Sequence, residues 1–193
     1  VEGENMSVFI PERNWWAQPL GKDEKLWLKV CVLTAIILFL MMPLYNLTGH
    51  QNPSHEGYKV SPERFNQLTE DFVAKNKVRD EVVKQRFGTT EVEMKIPVVH
   101  PGPGVKDIYL RARAWEFYPI LELEEGREYR VHMSSMDYQH GFSLQPQNIN
   151  FQILSGYDLV VTMTPRETGE FYVICNEYCA LGHHTMIGKI IVK

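Results

Sequence analysis

The sequence predicts a mainly β protein: a Greek-key β-sandwich or barrel anchored by one N-terminal transmembrane helix, with an additional amphipathic helix between the two. Three observations carry this reading. Val30 to Tyr45 is an apolar run without a single charge. From Gly88 onward, apolar and polar residues alternate with period two in seven or more short segments. Turn-forming residues separate those segments at Pro101-Gly102-Pro103-Gly104, Glu125-Gly126, Ser155-Gly156 and Pro165 to Gly169.

Composition narrows the function classes. The chain has 193 residues, 24 Asp+Glu against 20 Lys+Arg, and three cysteines. The acidic balance argues against nucleic acid, whose phosphates need a basic excess. Three cysteines in so long a chain exclude a disulfide-built mini-protein. The charge is also segregated. Val1 to Phe87 holds 11 residues of each sign, so the net −4 falls on Gly88 to Lys193. Glu122, Glu124, Glu125 and Glu128 form a local acidic group there, read as a solubilising surface in preference to a docking patch.

In chain order, residues 1–25 form an N-terminal segment and residues 26–47 the membrane span. Counted from Leu26 to Leu47, a helix extends about 33 Å, enough to cross a bilayer core. A cleaved signal peptide is disfavoured, because no A-x-A-like site follows Tyr45. The chain begins with Val1, as a processed or incompletely represented N-terminus would. Arg13, Lys22, Lys25 and Lys29 precede the span and the next cation is Lys59, so the positive-inside rule places the N-terminus in the cytoplasm and the remainder outside. Trp15, Trp16, Trp27 and Tyr45 are spaced for the two membrane interfaces.

Residues 48–87 are expected to be a linker and an amphipathic helix. Asn46 to Lys59 is polar and turn-rich. Ser61-Pro62 supplies an N-cap and a first-turn proline, and Phe65, Leu68, Phe72, Val78 and Val82 continue a helical face to about Phe87, closed by Gly88. Residues 88–193 form the β domain, with strands expected at Val92 to Ile96, Asp107 to Tyr118, Ile120 to Glu124, Glu128 to Met133, Asn148 to Ile153, Leu159 to Met163, Glu170 to Ile174 and Lys189 to Val192.

The chemistry is concentrated between the last two strands, in Cys175-Asn176-Glu177-Tyr178-Cys179-Ala180-Leu181-Gly182-His183-His184-Thr185-Met186. Two thiols, imidazole and a thioether make a soft ligand set, which favours copper over calcium, magnesium or manganese. Three readings compete. A disulfide uses only the cysteines and leaves His183 and Met186 unexplained. Structural zinc could take both cysteines, His183 and a remote histidine, without needing Met186. Copper uses all of them, and a second cysteine spaced toward the same point suggests two coppers sharing two thiolates. The remote histidine is sought among His100, His132 and His140. His140 follows one predicted strand and precedes another, at the same end of the sandwich as the cysteine loop. His184 rivals His183.

His140 with Asn148-Ile149-Asn150 downstream, then C-N-E-Y-C-A-L-G-H-H-T-M and the terminal G-K-I-I-V, resembles the CuA domain of subunit II of haem-copper oxidases. The single span points to the ba3-type (B family) branch. The resemblance covers about Asp23 to Lys193 and is strongest from Tyr138 onward. It implies a cupredoxin-like fold holding dinuclear copper (CuA). Cys175 and Cys179 would bridge the two ions, His140 and His183 would each bind one, and Met186 and the Glu177 carbonyl would be weak axial ligands. It further implies electron entry at Trp115, Phe117 and Tyr118, and a proton-path entrance at Glu24, where a helix N-terminal acid is the plainer reading.

The function expected is electron transfer within a terminal respiratory oxidase of the prokaryotic cell membrane: cytochrome c to CuA, then to haem in the large subunit I, which reduces O2 to water with proton translocation. The chain itself would hold no O2-reducing site. Membrane lipid and a small additional membrane subunit complete the expected partners; nucleic acid is not among them. The rival readings are the CuA subunit of a nitric oxide reductase, a membrane-anchored copper carrier and a structural zinc module.

Overall fold

The computed structural model describes residues 13–48, 55–87 and 89–193, in two compact units, Val1–His50 and Gln51–Lys193. The first unit is a short turn, Trp15–Ala17, and helix α1 (Lys22–Thr48), 27 residues long with no buried residue and apolar enough to cross a membrane. Its start is set by Glu24 at the third helical position, whose Oε2 accepts the Gly21 N–H at 2.6 Å. A side chain reaching back to the N-cap N–H satisfies one of the donors a helix start leaves open.

The second unit opens with β1 (His55–Lys59), α2 (Pro62–Asn76), β2 (Lys77–Phe87), β3 (Thr90–Val99) and β4 (Asp107–Arg113). There follow β5 (Glu116–Tyr118), β6 (Ile120–Leu123), β7 (Tyr129–Ser135) and β8 (His140–Leu144). The chain ends with β9 (Ile149–Ile153), β10 (Tyr157–Met163), β11 (Gly169–Ile174) and β12 (Ile187–Val192). One sheet has the order β1-β10-β7-β4-β5, the other β2-β3-β6-β12-β11-β8-β9. Parallel pairing of β4 with β7, and of β6 with β3 and β12, marks crossovers between distant segments. The sheets pack face to face. Ile108, Leu110, Val131, Met133 and Val161 of one meet Leu121, Leu123, Phe142, Leu144, Val173 and Ile190 of the other in a single buried cluster. The alternation read from the sequence is thus the inward half of each strand.

Four expectations need correction. The helix that begins at Ser61, whose Oγ accepts the Arg64 N–H at 3.2 Å, stops at Asn76 and not near Phe87. Residues Lys77–Phe87 form β2, paired antiparallel with all of β3. Val78 and Val82 are four apart, a spacing that serves a helix face and a strand face equally, and pairing with β3 decides for the strand. Gly88, expected to close the helix, lies outside the described residues. Within the polar stretch Asn46 to Lys59, residues 49–54 are outside the described residues too, but His55–Lys59 is a strand on the β10 edge. The single strand expected from Asp107 to Tyr118 is broken at Ala114-Trp115 into β4 and β5, and His140 begins a strand where a loop was expected. Of the acidic group only Glu122 is buried, paired with Arg79 and Lys193; Glu124, Glu125 and Glu128 stay at the surface, Glu124 beside Arg127 and Glu128 beside Lys106.

Helix α2 covers the open face of β4. Phe65 is fully buried, with Thr69, Phe72 and Val73 beside it, and Phe65 and Phe72 both contact Tyr109. Beneath them His132 of β7 lies between Asp158 of β10 (Nδ1 to Oδ2, 2.8 Å) and Asp107 of β4 (Nε2 to Oδ1, 3.1 Å), stacked on Tyr109. Burial lowers the His132 pKa, but the two carboxylates outweigh it and hold the group above the ordinary imidazole value. A ring can donate from both nitrogens only as imidazolium, so protonated His132 ties three neighbouring strands together.

Two outcomes follow for residues 51–193. Phe65→Ala should cost about 3–5 kcal/mol in denaturant unfolding, as expected for an aromatic ring removed from a core; a change under about 1 kcal/mol would show that α2 is not part of the cooperative unit. The stabilisation from His132 should be fully present below about pH 6.5, the unfolded imidazole value, and be lost as pH rises through the higher folded value. Subtracting the stability-pH curve of His132→Asn from that of the wild type measures it, and a difference that grows with pH would be the wrong sign.

Candidate metal centre

Strands β11 and β12 pair up to Ile174 and Ile187, and the twelve residues between them form a loop closed by the Cys175 N–H donating to the Met186 carbonyl at 3.2 Å. Inside, His183–Thr185 makes one tight turn after Gly182, whose φ of +106° is a left-handed conformation that L side chains disfavour. A Cβ at Gly182 would also meet the Trp115 ring at 2.7 Å.

These turns gather the sulfur ligands. Cys175 and Cys179 are buried with their Sγ atoms 3.7 Å apart, far longer than the roughly 2.05 Å of a disulfide. Cys179 Sγ is 3.6 Å from His183 Nδ1 and 3.9 Å from Met186 Sδ, and Met186 is almost fully buried. Cys175 Sγ lies 3.3 Å from the Glu177 carbonyl oxygen. His140 enters from β8 with no exposed surface, and one ring nitrogen lies within 4.8 Å of both thiols; among the described residues these three are the only His/Cys/Asp/Glu group so clustered. His140 Nε2 faces Asp137 Oδ1 at 2.8 Å, while Nδ1 is buried without a hydrogen-bond partner. A buried acceptor nitrogen left unpaired beside two thiols is costly in the bare protein and is what a metal ligand requires.

The other histidines are elsewhere. His132 serves the strut described above, His100 hydrogen-bonds the Glu122 carbonyl, and His184 is exposed while its neighbour His183 faces Cys179. The three aromatic residues named for electron entry separate. Trp115 packs on the metal loop at Gly182; Phe117 is buried in the core against Phe142; Tyr118 donates to Glu70 of α2 at 3.1 Å beneath the Arg111 guanidinium.

Electrostatics divide the thiols. Burial raises the Cys175 pKa, but His140 and the backbone N–H groups of Gly141 and Glu177 overcome it and hold the group at about 6. Burial and the neighbouring Cys175 push Cys179 up to about 12. Burial lowers the His140 pKa, and Cys175 and Asp137 more than reverse this. A thiolate already favoured at Cys175 is a metal ligand in its working protonation state. The donor set of two sulfurs, a thioether and two imidazoles fits copper, and Met186 has no part in a tetrahedral zinc site.

Sequence reasoning missed the residues that hold this arrangement. Gly141 lets β8 come so close that a Cβ there would lie 2.8 Å from the backbone nitrogens of Asn176 and Glu177. Asn176 Nδ2 donates to Asn150 Oδ1 of β9 at 2.9 Å, which ties the loop to the neighbouring hairpin. The available signal was the small residue directly after a candidate ligand.

No protein-family model matches the chain. Two curated relatives, both named cytochrome c oxidase subunit 2 and both from Thermus thermophilus, are each 39% identical over 97 residues, half of this chain. The match spans 72% of one relative and 58% of the other. The chain belongs to the cytochrome c oxidase subunit 2 family. It is therefore a subunit of an oxidoreductase, held to the membrane by its apolar helix. A chain from a cryo-EM structure of a haem-copper terminal oxidase dimer shares the fold, with a TM-score of 0.53 at 22% identity over 89% of this subunit and 100% of that chain. This subunit 2 domain is accordingly a sandwich of a five-stranded and a seven-stranded sheet.

Gly141→Ala should test the approach of β8. Overpacking typically costs about 1–3 kcal/mol, and in this subunit 2 chain it should also lower metal affinity, read by chelator competition, because His140 is the next residue. Wild-type affinity and stability together would show that the contact tolerates a methyl group.

Proposed function

We propose that this subunit carries single electrons through a dinuclear CuA centre, from cytochrome c to haem in the large subunit I of a ba3-type oxidase, which reduces O2 to water and translocates protons. The observation that supports it is the convergence of six donors from one loop and one strand start: the sulfurs of Cys175, Cys179 and Met186, the rings of His140 and His183, and the Glu177 carbonyl. Cys175 and Cys179 would be the thiolates shared by two coppers, His140 and His183 would each hold one of them, and Met186 and the Glu177 carbonyl would be the weaker ligands. When bound, such a pair takes up and releases one electron at a time, its charge spread over both ions.

The chain's own contribution is rigidity and exclusion of water. The thiols and Met186 are buried, and the loop is tied by Cys175 to Met186, by Asn176 to Asn150 and by Trp115 on Gly182. Fixed ligands rearrange little when the charge changes by one. Trp115, half-exposed and in contact with the loop, is the best-placed of the three aromatics for electron entry. Arg13, Lys22, Lys25 and Lys29, all ahead of the uncharged run of α1, support a cytoplasmic N-terminus with the copper domain outside, in contact with lipid, subunit I and a small additional membrane subunit. Glu24 stands near that cytoplasmic end as a proposed proton-path entrance, although in this structure its carboxylate caps α1.

Metal analysis and EPR of residues 51–193 test the reading. That fragment keeps α2 and β2, which a start at Gly88 would remove. Two coppers per chain and hyperfine lines from one electron shared over both nuclei are expected. A single-copper spectrum, or zinc, would sink the CuA reading. Cys179→Ser should abolish the shared-electron signal, whereas Met186→Leu should keep it and mainly shift the potential, since an axial ligand is weak.

A further inference from the structure

Asp137 stands at a junction that the ligand set does not explain. It lies in the turn between β7 and β8, three residues before His140, with its carboxylate partly exposed while the His140 side chain is wholly buried. Oδ1 accepts from His140 Nε2 at 2.8 Å and from the Tyr138 N–H at 2.7 Å. Oδ2 accepts the Ala114 N–H at 2.8 Å, the residue before Trp115. The turn is itself fixed, since Ser135 Oγ accepts the Asp137 N–H at 3.2 Å and the Met136 N–H donates to the Ala112 carbonyl at 2.9 Å. One carboxylate thus joins the β8 ligand to the turn that lays the Trp115 ring on the metal loop.

We propose that Asp137 is the positioning residue of this metal site: it holds the His140 proton on Nε2, leaves Nδ1 to face the thiols, and through Ala114 fixes Trp115 against the loop. Nδ1 is buried without a partner, one ring nitrogen lies within 4.8 Å of both thiols, and with Nε2 taken by Asp137 the nitrogen left to turn to them is Nδ1; a neutral ring carries its single proton on the nitrogen that has an acceptor. A carboxylate behind a metal-bound imidazole also makes the ring a stronger donor, and removing such a group typically costs about 10–100-fold in metal affinity. The identity of the ion rests on the copper reading above; the tautomer and the Trp115 contact do not.

The test uses the full chain in detergent with 15N-labelled histidine. In the metal-free wild type, recorded where the ring is neutral, His140 should show a single Nε2–H tautomer. Asp137→Ala should populate Nδ1–H and weaken Cu binding about 10–100-fold in chelator competition, with an unchanged far-UV circular dichroism spectrum and a moved Trp115 indole resonance. Asp137→Asn, whose amide oxygen can still accept from Nε2–H, should restore the tautomer with intermediate affinity. Asp137→Ala that keeps the wild-type tautomer and affinity overturns the proposal, as does Asp137→Asn with an Nδ1–H ring. The tautomer needs no metal, so a failure of the two-copper EPR signal would refute CuA while this measurement still decides the role of Asp137.

Discussion

The contact of β8 with the cysteine loop is the constraint on which the site depends. His140 and the Cys175–Met186 loop are 35 residues apart at their nearest, and they meet because β8 pairs with β11 at Ser143 and Leu144 while Gly141 lets the strand start touch Asn176 and Glu177. Without that approach the loop offers two thiols, a thioether and only His183 as an imidazole facing the cysteines, since His184 is exposed. The sandwich core behind it, with Phe142 and Leu144 packed among Val173 and Ile190, keeps the two strands in register.

Around this contact the protein separates order from charge. Cys175, Cys179, Met186 and His140 are buried, while Tyr178 and Leu181 of the same loop are well exposed. The three sulfurs and the His140 ring are therefore shielded from solvent under a thin cover, which limits rearrangement. The polar groups needed inside are few and linked: His140 faces Asp137 through Nε2 and stands within 4.8 Å of both thiols. Elsewhere the same economy holds His132 between two aspartates and Glu122 between Arg79 and Lys193.

The candidate site is legible in sequence because five of the six proposed donors lie within twelve residues, where spacing along the chain limits how far apart the side chains can be. His140 was identified by its place between strands, and the structure brings it to the thiols while leaving His100 and His132 with carbonyl and carboxylate partners. What supports those donors was not legible. Asp137 is an ordinary turn residue until its carboxylate is seen between His140 and Ala114, and Gly141 reads as a flexible link until Asn176 is seen against it. Among the three aromatics, only packing distinguishes Trp115 on the loop from Phe117 in the core.

The fold divides along the same line. Local chemistry alone determined the apolar helix, the Ser61-Pro62 start of α2, the alternating strands from Thr90 onward and the soft-ligand loop, because each is set by periodicity, capping or composition within a few residues. Tertiary structure decided where α2 ends and that Lys77–Phe87 is a strand, since Val78 and Val82 suit either period and the unpaired edge of β3 settles the matter. It also decided that His55–Lys59 joins the β10 edge, and that His140 begins a strand aimed at the cysteines. In each case the deciding energy is a hydrogen-bonded or packed partner far away in the chain, which no local pattern contains.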